Sequence, residues 1–129
     1  MNINDFIETI KDLAFRISNL EKRKFIDETY IAPTLLNSWV NYGSGFSDTG
    51  YYKDSAGVVH IKGMVKNGTT TGGTAIFTLP VGYRPSQILI IPTVSNSAFG
   101  QLRINTNGNV EFHSGSNAWF SLDNIAFRV

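Results

Sequence analysis

The chain of 129 residues contains no cysteine, which excludes disulfide bonds and thiolate metal ligands. Charged residues are also few, 16% of the total, and the formal net charge is only +1. Because the charge is so nearly balanced, nothing in it points to a polyanion such as nucleic acid as a partner. No stretch approaches the ~18 consecutive apolar residues of a membrane-spanning helix, and the N-terminus lacks a basic region followed by an apolar run. We therefore expect neither membrane insertion nor a signal peptide.

The charged residues that are present concentrate at the N-terminus. Residues 1–30 carry six of the ten acidic residues and five of the eleven basic ones. Residues 31–129 are built instead from Gly, Ser, Thr, Asn and aromatic residues. This shift in composition predicts a stalk over residues 1–28, a junction over 29–34 and a head domain over 35–129.

Apolar residues in the first segment follow one another at spacings of 3, 4, 3, 4 and 3. An isolated helix of this length is marginal in water, so we expect its narrow apolar seam to lie against copies of itself. The alternative is an amphipathic helix packed against its own domain. The pattern is a heptad repeat, with Ile at each a position and Phe, Leu and Leu at the d positions: Ile3, Phe6, Ile10, Leu13, Ile17 and Leu20.

The residues at the e and g positions, which flank the apolar seam, indicate how many helices this coiled coil contains. β-Branched residues at a with Leu at d favour two strands, but Ile7 and Ala14 at e widen the apolar stripe. Arg16 at g and Glu21 at the next e resemble a pattern of short trimeric coiled coils, in which the Arg pairs with the Glu of a neighbouring chain. We therefore predict a parallel homotrimer held by the heptad residues with Arg16 and Glu21. The heptads end at Lys24.

From residue 34 onward, short β-rich runs separated by turn residues replace the helical period. Pro33 marks the change because it disfavours helix at the residue before it. So many short strands in one head predict an antiparallel β-sandwich of jelly-roll type. Eight strands are expected, over 35–42, 50–54, 58–66, 74–79, 87–95, 101–105, 109–113 and 118–128.

Two hairpins share one turn chemistry, an Asp or Asn followed by Gly three residues later, at 54–57 and 105–108. A Gly in the left-handed conformation closes such a three-residue loop. The register that keeps apolar residues on one face then follows, because a slip of one residue would move every side chain to the opposite face. It pairs Ile104 with Val110, Leu102 with Phe112 and Arg103 with Glu111 in one hairpin, and Tyr51 with Ile61 and Tyr52 with His60 in the other.

Strand direction sorts the connections into two groups. If each strand reverses, the connections 55–57, 80–86 and 106–108 lie at the stalk end, and 43–49, 67–73, 96–100 and 114–117 lie at the far end. The far group is rich in Gly, Ser, Thr and Asn. Binding sites are usually carried by loops on a rigid scaffold, although such loops can also be plain solvated connections.

Several segments of the head, taken in order, resemble the C-terminal head region of tail fibres and minor tail proteins of phages and prophages, chiefly of Gram-positive hosts. The resemblance covers about residues 34–129. Its segments are 34–42 (TLLNSWVNY), 51–54 (YYKD), 58–63 (VVHIKG), 77–85 (FTLPVGYRP) and 121–127 (SLDNIAF).

This resemblance implies a trimeric virion protein, made in the host cytoplasm, whose β-rich tip contacts a cell-surface polysaccharide or teichoic acid. Other virion tail proteins are then expected as partners. Such fibres attach to the virion through a long N-terminal region, whereas this chain starts almost directly with its heptads. The chain is accordingly expected to be either a tip fragment or a small fibre protein that docks through its stalk.

Sugar-binding sites commonly combine an exposed aromatic ring with Asn, Asp or Ser side chains. Phe46 and Phe99 lie in far-end loops, whereas Trp39 and Trp119 lie in strand-like segments where core packing is expected. The predicted ligand-binding residues are Phe46, Ser47, Asp48, Asn96, Phe99, Ser116 and Asn117.

An enzyme is not indicated. The two imidazoles, His60 and His113, lie in no nucleophile motif, and no spacing of His or carboxylates predicts a metal site. We predict no catalytic residue, metal or cofactor, and a fibre tip that captures a surface polymer by multivalent, non-covalent binding. The alternatives are a structural trimerisation cap without a ligand and, more remotely, a cell-wall polysaccharide hydrolase. The carboxylates available to a hydrolase in the head are scattered: Asp48, Asp54, Glu111 and Asp123.

Overall fold

A computed structural model describes residues 1–22 and 27–129. Within them it contains one helix, α1 (Ile3–Lys22), and ten strands. The part of the predicted stalk over 23–26, including the end of the heptads at Lys24, lies outside the described residues. The chain is mainly β with an N-terminal helix, as predicted. The strands are β1 (Val40–Asn41), β2 (Gly50–Lys53), β3 (Val58–Lys62), β4 (Met64–Lys66), β5 (Thr74–Thr78), β6 (Leu89–Ser95), β7 (Ala98–Ile104), β8 (Asn109–Ser114), β9 (Phe120–Ser121) and β10 (Ile125–Arg128).

The helix α1 begins with a side-chain cap. The Oδ1 atom of Asn2 accepts a hydrogen bond from the backbone N–H of Asp5 at 2.9 Å, which satisfies one of the free donors of the first turn. The six heptad side chains are all exposed, from 48% for Leu13 to 69% for Ile3. The helix thus forms as predicted, and the described parts of its own head leave its apolar seam uncovered.

Arg16 of α1 pairs within the helix. Its Nε lies 3.1 Å from Oδ2 of Asp12, one turn earlier, and both side chains are more than half exposed. An exposed pair of this kind contributes about 0.3–0.5 kcal/mol. The pairing of Arg16 with Glu21 of a neighbouring chain stays a prediction.

The head consists of two antiparallel sheets. One has seven strands in the order β1-β4-β9-β6-β7-β8-β5, and the other has three in the order β10-β3-β2. Every pairing between these strands is antiparallel. The antiparallel character of the head is therefore confirmed.

Three predicted strands are wrong in extent. The run 58–66 divides at Gly63, whose φ of 145° turns the chain from the small sheet into the large one. The run 118–128 divides at Asn124, with a φ of 60°. The first run, 35–42, contains a turn at Asn37 and Ser38, with φ of 54° and 67°, so only Val40–Asn41 pairs as a strand.

Both predicted hairpin registers are confirmed. The N–H of Gly108 donates to the carbonyl of Asn105 at 2.9 Å, and that of Gly57 donates to the carbonyl of Asp54 at 3.1 Å. Both glycines are left-handed, with φ of 91° and 81°. The turn chemistry together with the apolar pattern was therefore sufficient to predict how these four strands pair.

The charge pair expected across one hairpin does not form. Arg103 and Glu111 lie opposite each other, but Oε1 of Glu111 bonds Nε2 of His113 at 3.0 Å instead. The Nε atom of Arg103 is buried and has no hydrogen-bond partner.

The predicted loop 96–100 is also wrong. β6 and β7 are joined by a two-residue turn, Asn96-Ser97, whose φ values of 48° and 63° are those of a type I′ hairpin. Phe99 consequently lies on a strand, directly opposite Val94. It belongs to the face of the sheet and not to a loop.

Aromatic rings fill the core of the head. Trp39 is 2% exposed, and its ring centroid lies 5.6 Å from that of Phe112 and 6.0 Å from that of Phe120. Gly68 lies against the indole so closely that any Cβ there would overlap it. The predicted core role is confirmed for Trp39 and wrong for Trp119, which is only half-buried and lies outside the core cluster.

Residues 27–31 enter the head beside the predicted stalk-end turns. Glu28 accepts hydrogen bonds from the backbone N–H of Lys53 at 3.0 Å and from the Tyr83 hydroxyl at 2.6 Å. Ile31 exchanges two backbone hydrogen bonds with Tyr51. The C-terminal Val129 donates to Gly57 at 3.1 Å, so the chain also finishes at this end.

At the opposite end of the head, the predicted far-end connections meet. The N–H of Asn67 donates to the carbonyl of Asn117, and that of Asn96 donates to the carbonyl of Trp119. The segment 43–49 precedes β2 at the end of that strand remote from the 55–57 turn. The predicted far-end placement is therefore confirmed for 67–73, 96–100 and 114–117. It is wrong for 43–49, which lies beside the corner at Gly63, and Ser47 of this segment borders a cavity together with Tyr30 of the entering chain.

Alanine substitutions at the two left-handed glycines should lower the free energy of unfolding by different amounts. Gly57→Ala places its Cβ in open space, so we expect a loss of about 1–2 kcal/mol from the backbone conformation alone. Gly108→Ala would also collide with the Leu79 carbonyl and the Arg84 guanidinium, and should cost about 1–3 kcal/mol more. Urea unfolding of both variants at one protein concentration measures the difference. Equal losses would contradict the packing at Gly108.

The Glu28–Tyr83 contact predicts a change in titration. The hydrogen bond to Glu28 raises the pKa of Tyr83 to about 12 from an ordinary 10.0 and lowers the pKa of Glu28 below 4.5. The contact therefore stabilises the fold fully between about pH 4.5 and 10. Its contribution is lost as the pH falls through the lowered pKa of Glu28, and also as the pH rises through the raised pKa of Tyr83.

Glu28→Gln should move one tyrosine ionisation from about pH 12 back toward 10, measured by ultraviolet absorbance. Tyr83→Phe is the control, because it removes that ionisation altogether. A tyrosine titration that is unchanged in Glu28→Gln would disprove the contact.

Candidate ligand-binding site

An open apolar cavity of about 160 Å³ lies where the turn after β1 meets the start of β4 and the residue before β9. Its lining is aromatic apart from one thioether: Tyr42, Phe46, Met64 and Trp119. We call this cavity the aromatic pocket. Half-buried rings around an open cavity offer flat apolar surfaces to a ligand while their edges stay in water.

The first wall of the pocket is built by the turn that follows β1. The N–H of Phe46 donates to the carbonyl of Gly43 at 3.0 Å, which folds the chain back on itself. The ring of Phe46 then meets that of Tyr42 edge-on, with centroids 5.3 Å apart and planes at 86°. Phe46 remains 52% exposed, so its outer face is free.

The floor of the pocket comes from β4. The N–H of Met64 donates to the carbonyl of Ser47 at 2.9 Å, and the N–H of Tyr42 donates to the carbonyl of Met64 at 2.8 Å. These bonds attach both sides of the turn to the large sheet. The turn carrying Phe46 is therefore held at a fixed place on the sheet.

Trp119 forms the opposite wall, just before β9. Its carbonyl accepts hydrogen bonds from the N–H of Asn96 at 3.1 Å and from Oγ of the buried Ser95 at 3.0 Å. Because successive side chains of a strand alternate, the burial of Phe120 in the core sends Trp119 to the outer face. The ring is thus presented by a fixed backbone.

One cation lies at the rim. The Nζ of Lys66 is 5.1 Å from the ring centroid of Tyr42, within the range of a cation–π contact. Ser47 and Asp48 follow Phe46 directly in the same turn, and Asp48 is exposed. The pocket therefore combines ring faces with a cation at its rim.

The other predicted site residues have structural partners. Nδ2 of Asn117 donates to the Gly68 carbonyl at 3.0 Å, and Oγ of Ser116 accepts from the Ala118 N–H at 3.0 Å. Asn96 occupies the β6–β7 turn. Of the predicted residues, Phe46 lines the pocket. Ser47 lines a separate polar cavity beside the small sheet, Asp48 lines neither cavity, and Phe99 lies on β7 away from the pocket. The ligand-binding role of all of them stays a prediction.

Three lining residues were missed by the sequence reasoning: Tyr42, Met64 and Trp119. Tyr42 and Trp119 had been placed inside predicted strands. Because side chains alternate along a strand, assigning Phe120 to the core would have placed Trp119 on the outer face. Met64 follows the corner at Gly63, which the uninterrupted run 58–66 concealed.

A second, polar cavity of about 520 Å³ borders the small sheet. Its acidic and imidazole groups are engaged within the fold: Nε2 of His60 bonds Oδ2 of Asp54 at 2.8 Å, and Oδ1 of Asp123 accepts from the N–H of Gly63. The hydrogen bonds from His60 and from the Val58 N–H lower the pKa of Asp54. The sequence reasoning missed this His–carboxylate contact, as it missed that of His113 with Glu111.

Two further properties concern the described part of the chain. Within residues 1–22 and 27–129, no three or more His, Cys, Asp or Glu side chains are grouped to hold a metal ion. In the same ranges, no helix is long and apolar enough to cross a membrane.

The fold is thus that of an N-terminal helix followed by an antiparallel two-sheet head, with an aromatic pocket between the turn after β1 and the start of β9. No protein-family model matches the sequence. No curated protein matches it either.

Among solved structures, the chain is similar to the receptor binding protein gp15 of Listeria phage PSA, with a TM-score of 0.69. The alignment covers 98% of this chain and 79% of that one, at 16% sequence identity. At this identity the similarity is one of fold. It agrees, at that level, with the resemblance of the sequence to phage tail proteins.

Proposed function

We propose that this chain is the receptor-binding tip of a phage tail fibre and that it captures a polysaccharide or teichoic acid of the host surface. The observation that carries the proposal is the aromatic pocket, in which Phe46 and Trp119 border an open cavity on the head. The similarity of fold to a phage receptor binding protein supports it.

The chemistry of the pocket suits a sugar ring. A pyranose presents a face of C–H groups, which packs on an aromatic ring, while its hydroxyls bond polar groups at the edge. Phe46 and Trp119 supply the rings, and Lys66 supplies a cation at the rim; Ser47 and Asp48 follow Phe46 in the same turn. Lys66 would also pair with the phosphate of a teichoic acid.

Multivalency supplies the strength that one such pocket lacks. We propose that the exposed seam of α1 joins three chains in a parallel coiled coil, so that three heads act on one polymer. A second head then binds at the high effective concentration set by the first. Virion location and contact with other tail proteins belong to the same proposal.

Binding to purified cell walls tests the site. Phe46→Ala and Trp119→Ala should each weaken apparent binding about tenfold, because each removes one wall of a stacking site. Val81→Ala is the control, since Val81 is 82% exposed and lies in the turn beside the Glu28 contact. Cosedimentation with walls of several Gram-positive hosts measures the effect.

The rival functions give different results in this assay. Full binding by both pocket variants would rule out the aromatic pocket as the site. Absence of binding to every wall would favour a structural cap, and release of soluble sugar would identify a hydrolase.

Sedimentation of the intact chain tests the trimer. Ile10→Asp with Ile17→Asp should dissociate it, because two layers of the seam would each bring three carboxylates together. Phe15→Asp is the matched control: Phe15 lies outside the a, d and e positions of α1 and is 66% exposed. A monomer or dimer of the unaltered chain would refute the trimer.

A further inference from the structure

The cavity beside the small sheet, here called the polar cavity, is the larger of the two described above. Its volume is about 520 Å³, whereas that of the aromatic pocket is about 160 Å³. Cavities that hold small molecules typically measure about 300–1,000 Å³. The polar cavity lies within this range and the aromatic pocket below it, so a ligand on the aromatic pocket extends beyond that pocket.

Small residues on the outer face of the small sheet create the polar cavity. The strand register places Ala126 of β10 beside His60 of β3, and Gly50 of β2 beside Lys62. These residues alternate with buried isoleucines and tyrosine, so they lie on the outer face. Ala126 has only a methyl group, which leaves a hollow over β10. Tyr30 stands over Gly50 and forms a wall: a Cβ at Gly50 would lie 3.3 Å from Cδ1 of Tyr30.

The charged groups of the lining are held in place by the fold. Oδ1 of Asp123 accepts a hydrogen bond from the N–H of Gly63 at 2.9 Å. Nζ of Lys62 lies 4.6 Å from the ring centroid of Tyr30, a cation–π contact. A carboxylate has a second oxygen that can accept a hydrogen bond from a ligand, and an ammonium group has three donors. The cavity thus offers an acceptor and a donor whose positions are set before a ligand arrives.

The polar lining suits a unit rich in hydroxyl groups. Asn124, at the corner before β10, adds an amide that both donates and accepts, as each hydroxyl of a sugar or polyol also does. The charges of Lys62 and Asp123 offset each other, so the lining does not favour a phosphate over an uncharged unit. Tyr30 is 48% exposed and supplies a partly open ring beside these groups.

We infer that the polar cavity is a second binding site of the head, for a sugar or polyol unit of a surface polymer. The inference rests on the proposed function for the class of polymer, but it does not depend on the aromatic pocket. Neither strand pattern nor loop position indicated this site, because it is formed by β3, β10 and the entering chain together.

One ridge of the chain separates the two cavities. Ser47 lines the polar cavity and the consecutive Phe46 lines the aromatic pocket. Lys62 and Met64, on either side of the Gly63 corner, are divided in the same way. The N–H of Met64 donates to the carbonyl of Ser47 at 2.9 Å and joins the two parts of the ridge. A polymer that passes this ridge would occupy both sites of one head, and the second unit would bind at a raised effective concentration.

Binding to purified cell walls tests the site with a substitution that fills it. Ala126→Phe should weaken apparent binding about tenfold, because the ring occupies the hollow over β10. Arg128→Phe is the matched control: it introduces the same ring on the same face of the same strand, outside the lining. Asn124→Gly is a second variant, which keeps the left-handed backbone and removes the amide. It should weaken binding about fivefold, the worth of one hydrogen bond.

The absence of native cysteine allows occupancy to be measured directly in the full chain. Ala126→Cys is labelled with a maleimide in the presence of wall-polysaccharide oligomers or of poly(glycerol phosphate). A bound unit should slow labelling at least about tenfold at a concentration ten times its Kd, and the effective probe distinguishes a sugar from a polyol. Arg128→Cys should react at one rate throughout. Protection should persist when Phe46→Ala is added, since the site does not depend on the aromatic pocket.

The outcomes separate this site from the proposed function. Full wall binding by Ala126→Phe and Asn124→Gly, with no protection of Ala126→Cys, would overturn the polar cavity and leave the aromatic pocket in place. Protection that disappears with Phe46→Ala would overturn the polar cavity as a site of its own. Protection by a probe without binding to any wall would keep the site and overturn the fibre-tip function. Absence of both would overturn both.

Discussion

The packing of Trp39 against Phe112 and Phe120 is the contact on which the arrangement of the head depends. It joins the segment before β1 to two strands of the large sheet, and the close approach of Gly68 holds the indole in place. The pocket follows from this contact. Burial of Phe120 directs Trp119 outward, and burial of Trp39 fixes the start of β1 at Val40, two residues before Tyr42. Core and candidate site are therefore two faces of the same strands.

The elements set by local chemistry were predictable from the sequence. The heptad spacing gave α1, and the two Asx-to-Gly turns gave both hairpin registers, because each depends on a few adjacent residues. The corners were not predictable in this way. Gly63 and Asn124 turn the chain where it passes between the two sheets. The position of such a turn depends on how the sheets pack, and the adjacent residues do not indicate it. Asn96-Ser97 forms a tight turn without the usual Gly, and its polar surroundings indicated a longer loop.

The candidate site was predictable to the extent that loops could be placed. Phe46 was found because an aromatic residue in a loop is seldom buried. Strand direction had placed its loop at the far end, whereas the loop lies beside the corner at Gly63. Trp119 was missed because an aromatic residue in a strand-like segment is more often buried, and Phe99 was misplaced with the 96–97 turn. Pairing of Arg103 with Glu111 was inferred from register, but His113 lies two residues along the same strand and binds the carboxylate first. The strand register shows that Arg103 and Glu111 lie opposite each other, but it does not show which of the nearby side chains binds the Glu111 carboxylate.

The junction at residues 27–31 also fixes how the head would bear mechanical load. A fibre that holds a cell is pulled, and tension from the stalk would reach the head first at the two hydrogen bonds between Ile31 and Tyr51, 2.7 and 3.0 Å long. Glu28 binds both Lys53 and Tyr83 just ahead of them, so β2 and the 80–86 turn share the pull.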